Sequence, residues 1–259
     1  MPSELQSERC DTTLLLTLSD PASRNTLSPQ ACSAGIEAVN GADDDRDLRC
    51  IVLRGAGAHV CAGGHLQRLA TVRQEGADAQ MQSMAQFHGF IDALRSSPLP
   101  VIAAVEGWAA GGGCSLALAC DLIVAAEDAR FVMSYSRVGL SPDGGGSWHL
   151  ARALPRALAL QAFWLAEPMT ARRWHELGLV VAVTDSGQAL AHALSLAKQL
   201  ATMAPNALAS AKALVDAAPQ ATLREHLDSE RDHFVRNLFH ANGGEGVDAF
   251  LAKRPARFS

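Results

Sequence analysis

The sequence predicts an α/β fold on three observations. Short apolar runs alternate with helical segments through the first half of the chain. From Ser147 onward Ala and Leu recur at helical spacing. Hydrophobic residues make up 48% of the 259 positions, enough to build one large core.

The elements follow in order. Thr12 to Leu18, rich in Leu and Thr, reads as a strand, and Asp20 to Asn25 as a turn around Pro21. Ser28 and Pro29 form an N-cap and first-turn pair that opens a helix to about Asn40, with the acidic run Asp43 to Asp45 ending it. Cys50 to Leu53 is a buried strand, and Gly55 to Gly64 a glycine-rich loop. A helix is predicted over Met81 to Leu94, stopped by Pro98 and Pro100. Val101 to Val105 is a strand, Gly111 to Ala119 a helix and Leu122 to Ala125 a strand. In the second half only Val180 to Val183 reads as a strand, and three helices are expected from Pro205 on.

Composition narrows the function. Twenty-two Lys and Arg against 27 Asp and Glu leave a net charge of −5, which argues against a nucleic-acid partner bound through a broad basic face. Met1 to Asp11 carries Glu4, Glu8 and Asp11 without an apolar run, so it does not read as a signal peptide. Gly107 to Cys120 is too short and glycine-rich to span a bilayer, so no membrane partner and a cytoplasmic location are expected. The six cysteines include no C-x-x-C pair and read as mostly buried free thiols, and the histidines show no ligand spacing, so no metal is expected.

Three glycine clusters carry the functional signal. Gly55-Ala56-Gly57 follows a strand but lacks the third glycine and the helix start of a dinucleotide site. Neither a phosphate-binding G-x-x-x-x-G-K loop nor a G-x-S-x-G nucleophile elbow is present, and His175-Glu176 lacks the second histidine of a zinc-protease helix. The other two clusters are Cys61-Ala62-Gly63-Gly64-His65-Leu66 and Gly107 to Ser115, the second lying between a strand and a helix. Glycines there either let strand and helix pack tightly, or present backbone N–H groups to an anion at a helix start.

Val60 to Leu66 resembles the C-A-G-G-D-L loop of the crotonase (enoyl-CoA hydratase/isomerase) superfamily. Ala104 to Cys114 resembles its A-x-x-x-G-x-x-x-G-G-G segment, Gly139 to Gly146 its G-x-x-P-x-x-G-G turn, and Ala249 to Arg254 its F-x-x-K-R end. The motifs agree in order over about residues 12–258, and within the superfamily Val132 to Asp143 looks closest to the aspartate-based enoyl-CoA isomerases. The resemblance implies a spiral of ββα units over residues 1–200 and a helical trimerisation region over 201–259, in a homotrimer or a dimer of trimers.

The resemblance also implies a coenzyme A thioester as substrate and no separate cofactor. The backbone amides of Gly64 and Gly112 would hold the thioester oxygen of an enolate, worth roughly 2.7–4 kcal/mol each. Ser115 and Tyr135 stand where the hydratases carry their two glutamates, and neither is a carboxylate. Ser115 is expected to pack as a small helix residue, and Tyr135 either to bond substrate or to serve packing. That leaves Asp143, read either as the acid/base of a double-bond shift or as the N-cap of a helix opening at Gly144.

The remaining assignments concern coenzyme A. By the same resemblance, Arg24 and Lys253 would lie near its phosphates, Phe250 on the nucleotide, and the Ala62 and Leu66 backbone near adenine and pantetheine. His65, in the place of the usual aspartate, reads as a surface histidine beside the substrate, and Arg68 as a solvated helix charge. The alternatives are a hydratase, a dehalogenase-like enzyme using Asp143 as a nucleophile, and an inert acyl-CoA binder.

Overall fold

The computed structural model describes residues 4–259. Its main sheet has six strands in the order β1 (Glu4–Cys10), β2 (Thr13–Ser19), β3 (Cys50–Gly55), β4 (Val101–Val105), β6 (Leu122–Ala126) and β9 (Ala182–Thr184). Only β1 runs antiparallel to its neighbour. A second, three-stranded sheet holds β5 (Trp108–Ala110), β7 (Arg130–Val132) and β8 (Met169–Thr170). The consecutive pairs β4–β5 and β6–β7 each place one strand in either sheet, and α4 (Gly112–Ala119) follows β4–β5. The chain therefore advances as a spiral of ββα turns.

The core follows from period-two alternation in β2 and β3. Leu14, Leu16, Leu18, Ile51 and Leu53 face one side, where they meet α1 (Pro29–Asp44) and α3 (Ala77–Ser96) through Val39, Phe90 and Leu94. Leu15, Cys50 and Val52 face the other side, against Ala189, Ala193 and Ala197 of α8 (Ala189–Leu200). Alanines four residues apart let that helix lie close to the sheet.

The structure differs from the sequence reading in specific places. β1 was not foreseen, because it is a solvent-facing edge strand with little apolar signal. Ser28 does cap α1, accepting from the Ala31 N–H at 3.0 Å, but the helix continues to Asp44. The helix expected over residues 81–94 starts earlier, at Ala77, and α2 (Leu66–Glu75) precedes it; Gly76, at φ +109°, separates the two. From Pro205 the chain forms α9 (Pro205–Ala217), α10 (Leu223–Leu238) and α11 (Ala241–Leu251). Asp121 anchors α9 to the sheet end, accepting from Lys212 Nζ at 2.9 Å and from the Val101 N–H at 2.8 Å. All six cysteines are free, and Cys10 alone is not fully buried. No helix among the described residues is long and apolar enough to cross a membrane.

Candidate active site

The spiral brings the two glycine loops together. The Leu27 N–H donates to the Gly63 carbonyl at 2.8 Å, the Cys61 N–H to Trp108 at 3.1 Å, and the Ala110 N–H to Cys61 at 3.0 Å. Residues 61–64 are thus stitched between the turn at Leu27 and strand β5, as adjacent windings of one coil. The fit is close enough to require glycine. A Cβ on Gly63 would lie 2.5 Å from the Ala110 oxygen and 3.0 Å from the Gly112 nitrogen, and one on Gly113 would lie 2.3 Å from the Cys61 oxygen. Gly111 turns the chain into α4 with φ +50° and ψ −121°, and no side chain caps that helix. Among the described residues, the amides of Gly64 and Gly112 make no hydrogen bond.

Asp143 lies on the loop opposite. A Cβ on Gly112 would be 3.5 Å from its Oδ1, the same atom that accepts from the Tyr135 hydroxyl at 2.6 Å. The Ser115 hydroxyl donates to the Asp143 carbonyl at 2.8 Å and lies 3.3 Å from the Tyr135 hydroxyl. Burial pushes the Asp143 carboxyl above the usual carboxylate range; the Tyr135 hydrogen bond and the nearby His88 charge pull it back only partly. Burial, together with the Asp143 charge, also pushes up the Tyr135 phenol, so it stays a donor.

Two adjoining cavities meet here. A cleft of about 70 Å³ is lined by Gly64, Gly112, His65, Arg68 and Asp143 among others. A larger, mainly apolar cavity of about 700 Å³ runs between α2, α3 and residues 140–145. The two share Leu69, Gln80, Met84 and Asp143, and among the described residues lining them Asp143 is the one acidic group.

Several sequence expectations change. Asp143 does not cap a helix: α5 (Gly146–Ala153) begins after Gly145, without a side-chain cap. Ser115 does more than pack, since its hydroxyl fixes the Asp143 backbone. Tyr135 lines neither cavity and spends its hydroxyl on Asp143. His65 is half-buried and caps α2, its Nδ1 accepting from the Arg68 N–H at 3.3 Å. Arg68 is likewise half-buried and donates to Ser83 at 3.0 Å.

The expected coenzyme A contacts divide. The Ala62 N–H donates to the Arg24 carbonyl at 2.9 Å, which keeps Arg24 beside the glycine loop. Leu66 is exposed at the start of α2, and neither it nor Ala62 lines either of these two cavities. Phe250, in α11, and Lys253, two residues beyond it, are exposed and line neither cavity. His149 lines neither cavity; its ring stands edge-on to Trp148, and burial lowers its imidazole to about 4. His88 lines the large cavity, although the sequence carried no motif around it.

Comparison with known proteins bears on this geometry. The enoyl-CoA hydratase/isomerase sequence profile matches residues 8–259. The chain belongs to the enoyl-CoA hydratase/isomerase family. Members similar to it include the 1,2-epoxyphenylacetyl-CoA isomerase of Escherichia coli (strain K12), 36% identical over 247 residues that cover 95% of this chain and 94% of the relative. The 2,3-dehydroadipyl-CoA hydratase of the same organism is 34% identical over 256 residues, covering 99% and 98%. A crystal structure of an enoyl-CoA hydratase from Polaromonas sp. JS666 superposes with a TM-score of 0.97 at 55% identity, covering 99% of this chain and all of that one. Relatives in this family thus carry both isomerase and hydratase names, on one shared fold.

Proposed function

We propose that the protein shifts a carbon–carbon double bond in an enoyl-CoA thioester, through an enolate held at Gly64 and Gly112. The observation that carries this reading is Asp143, among the described residues the one carboxylate lining the two cavities, set beside two amides that make no hydrogen bond among those residues, at the mouth of an apolar cavity. The thioester oxygen accepts from both amides and takes up charge as a C–H proton leaves. Fixed donors in a water-poor cleft stabilise that charge without reorganising. Asp143 removes the proton from one carbon, and a proton is delivered at the other end of the conjugated system. Its raised pKa brings it closer to the working range of a general base.

Water addition by a carboxylate pair needs a second carboxylate beside the first to position and activate the water. The two side chains hydrogen-bonded to Asp143 are instead Ser115 and Tyr135, both engaged in holding it. This favours isomerisation over the hydratase activity in several relatives' names. Arg24 and Arg68 flank the glycine loop and suit the coenzyme A phosphates. We further propose a homo-oligomer, a trimer or a dimer of trimers, because α10 and α11 expose apolar side chains such as Phe234 and Phe250, 69% and 83% accessible.

Purified protein assayed with a 3-enoyl-CoA and with crotonyl-CoA tests the assignment. Isomerisation that Asp143→Ala abolishes is expected. Robust hydration of crotonyl-CoA overturns it, as does acyl-CoA binding without turnover. A covalent acyl adduct trapped on Asp143 would assign nucleophilic chemistry instead. Light scattering at a multiple of 27.3 kDa checks the assembly.

A further inference from the structure

Helix α3 runs along the large cavity. Gln80, Met84 and His88 recur one turn apart and all three line it. The neighbouring Phe87 is buried and fixes the helix in place. A Cβ on Gly144 would come within 2.5 Å of its ring, and one on Gly112 within 3.4 Å. The ring therefore clamps α3 between the start of α4 and the loop that bears Asp143. His88 is held on the wall of the same cavity as Asp143, and among the described residues its ring nitrogens have no hydrogen-bond partner. It is also solvent-accessible, so it can exchange protons with water.

We propose that His88 is a second proton-transferring residue of this cavity, acting as the acid while Asp143 acts as the base. The inference rests on the isomerase reading above. The Asp143 carboxylate takes a proton from carbon, and that C–H electron pair passes into the enolate at Gly64 and Gly112. The His88 imidazolium gives its proton to the carbon at the far end of the conjugated system, where a new C–H bond forms. Asp143 is then a carboxylic acid and His88 a neutral imidazole. Proton transfer from the first to the second, directly or through water, restores both, and no net proton is consumed. The favourable charge interaction between His88 and Asp143 accords with their shared cavity.

Isotope retention separates one base from two. A 3-enoyl-CoA deuterated at the carbon that loses its proton is isomerised in ordinary water, and the product is analysed by mass spectrometry. With His88 as the donor, wild-type product carries little deuterium at the carbon that gains a proton, while the deprotonated carbon keeps its second deuteron in either case. In His88→Gln, kcat falls about 10²-fold with KM little changed, the size expected for losing a general acid. The residual product retains label, because Asp143 alone then carries the hydrogen across. Imidazole added to His88→Ala restores turnover, which a purely structural role would not give. An active wild type whose product carries most of the removed deuteron in the newly formed C–H bond, or a His88→Gln variant within about threefold of wild type, overturns this inference alone. A wild type inert toward 3-enoyl-CoA thioesters overturns the isomerase reading with it.

Discussion

Gly63 decides whether the two amides meet, and one methyl group tests it. In Gly63→Ala the new Cβ stands 2.5 Å from the Ala110 oxygen and 3.0 Å from the Gly112 nitrogen. Both are backbone atoms of the neighbouring winding and cannot rotate away. Ordinary contact begins near 3.4 Å, so the loops must part by about 0.9 Å. A left-handed φ of +81° adds about 1–2 kcal/mol of strain for a residue with a Cβ. Misplacing a reacting group by about 1 Å costs roughly 10²-fold in rate. Gly57→Ala supplies the control. Its φ is +72°, but its nearest neighbour would be Pro21 Cβ at 3.6 Å, so it carries the strain without the collision. Steady-state isomerisation of a 3-enoyl-CoA and urea unfolding are measured on both variants. Gly57→Ala is expected to lose stability and keep its kcat; Gly63→Ala is expected to lose kcat by about 10²-fold. Equal activity in the two variants would refute the converging-amide geometry.

Other consequences involve Asp143 and the anchor of α9. In Tyr135→Phe the carboxyl loses a hydrogen bond that favours its charged form. Its pKa rises further, and the acid limb of the kcat/KM profile moves to higher pH; an unmoved or lowered limb counts against Asp143 as the base. Because burial raises its folded pKa, Asp143 binds its proton more tightly folded than unfolded. The stability it adds is present below the unfolded carboxylate pKa and disappears as pH rises through the folded value. Asp143→Asn should therefore melt higher than wild type at pH 7, with the gain vanishing toward acid pH. Lys212→Met leaves the half-buried Asp121 without the ammonium 2.9 Å away, with Arg95 at 4.0 Å as its remaining cation, and should cost about 2 kcal/mol in urea unfolding. A loss below about 1 kcal/mol would mean that the pair does not anchor α9.

The elements that could be read directly are those whose cause is local. Val101 to Val105 is a continuous β-rich run and forms β4 over those residues. Ser28 and Pro29 start α1 because a cap needs only the three residues that follow it. β1 escaped notice because its partner, not its own composition, makes it a strand. The end of α1 was misplaced because nothing within the helix forbids the extra turn through Asp44.

The candidate site divides in the same way. Gly64, Gly112 and Asp143 were reachable through family-like motifs, and glycine's tolerance of tight approach gave the first two a physical reason. The sequence by itself determined the alternation of strands and helices, the glycine bends and the absence of a second carboxylate at the positions of Ser115 and Tyr135. The ββα order was legible only through the family resemblance, because β5, β7 and β8 are strands of two or three residues with too little pattern to read. Only the tertiary structure decided that Gly63 abuts Gly112, that Tyr135 and Ser115 both hold Asp143, and that His88 shares its cavity. The physical reason is separation along the chain. Caps and turns are settled within a few residues, whereas these contacts join segments dozens of residues apart, which meet only once the windings stack and bury a common core.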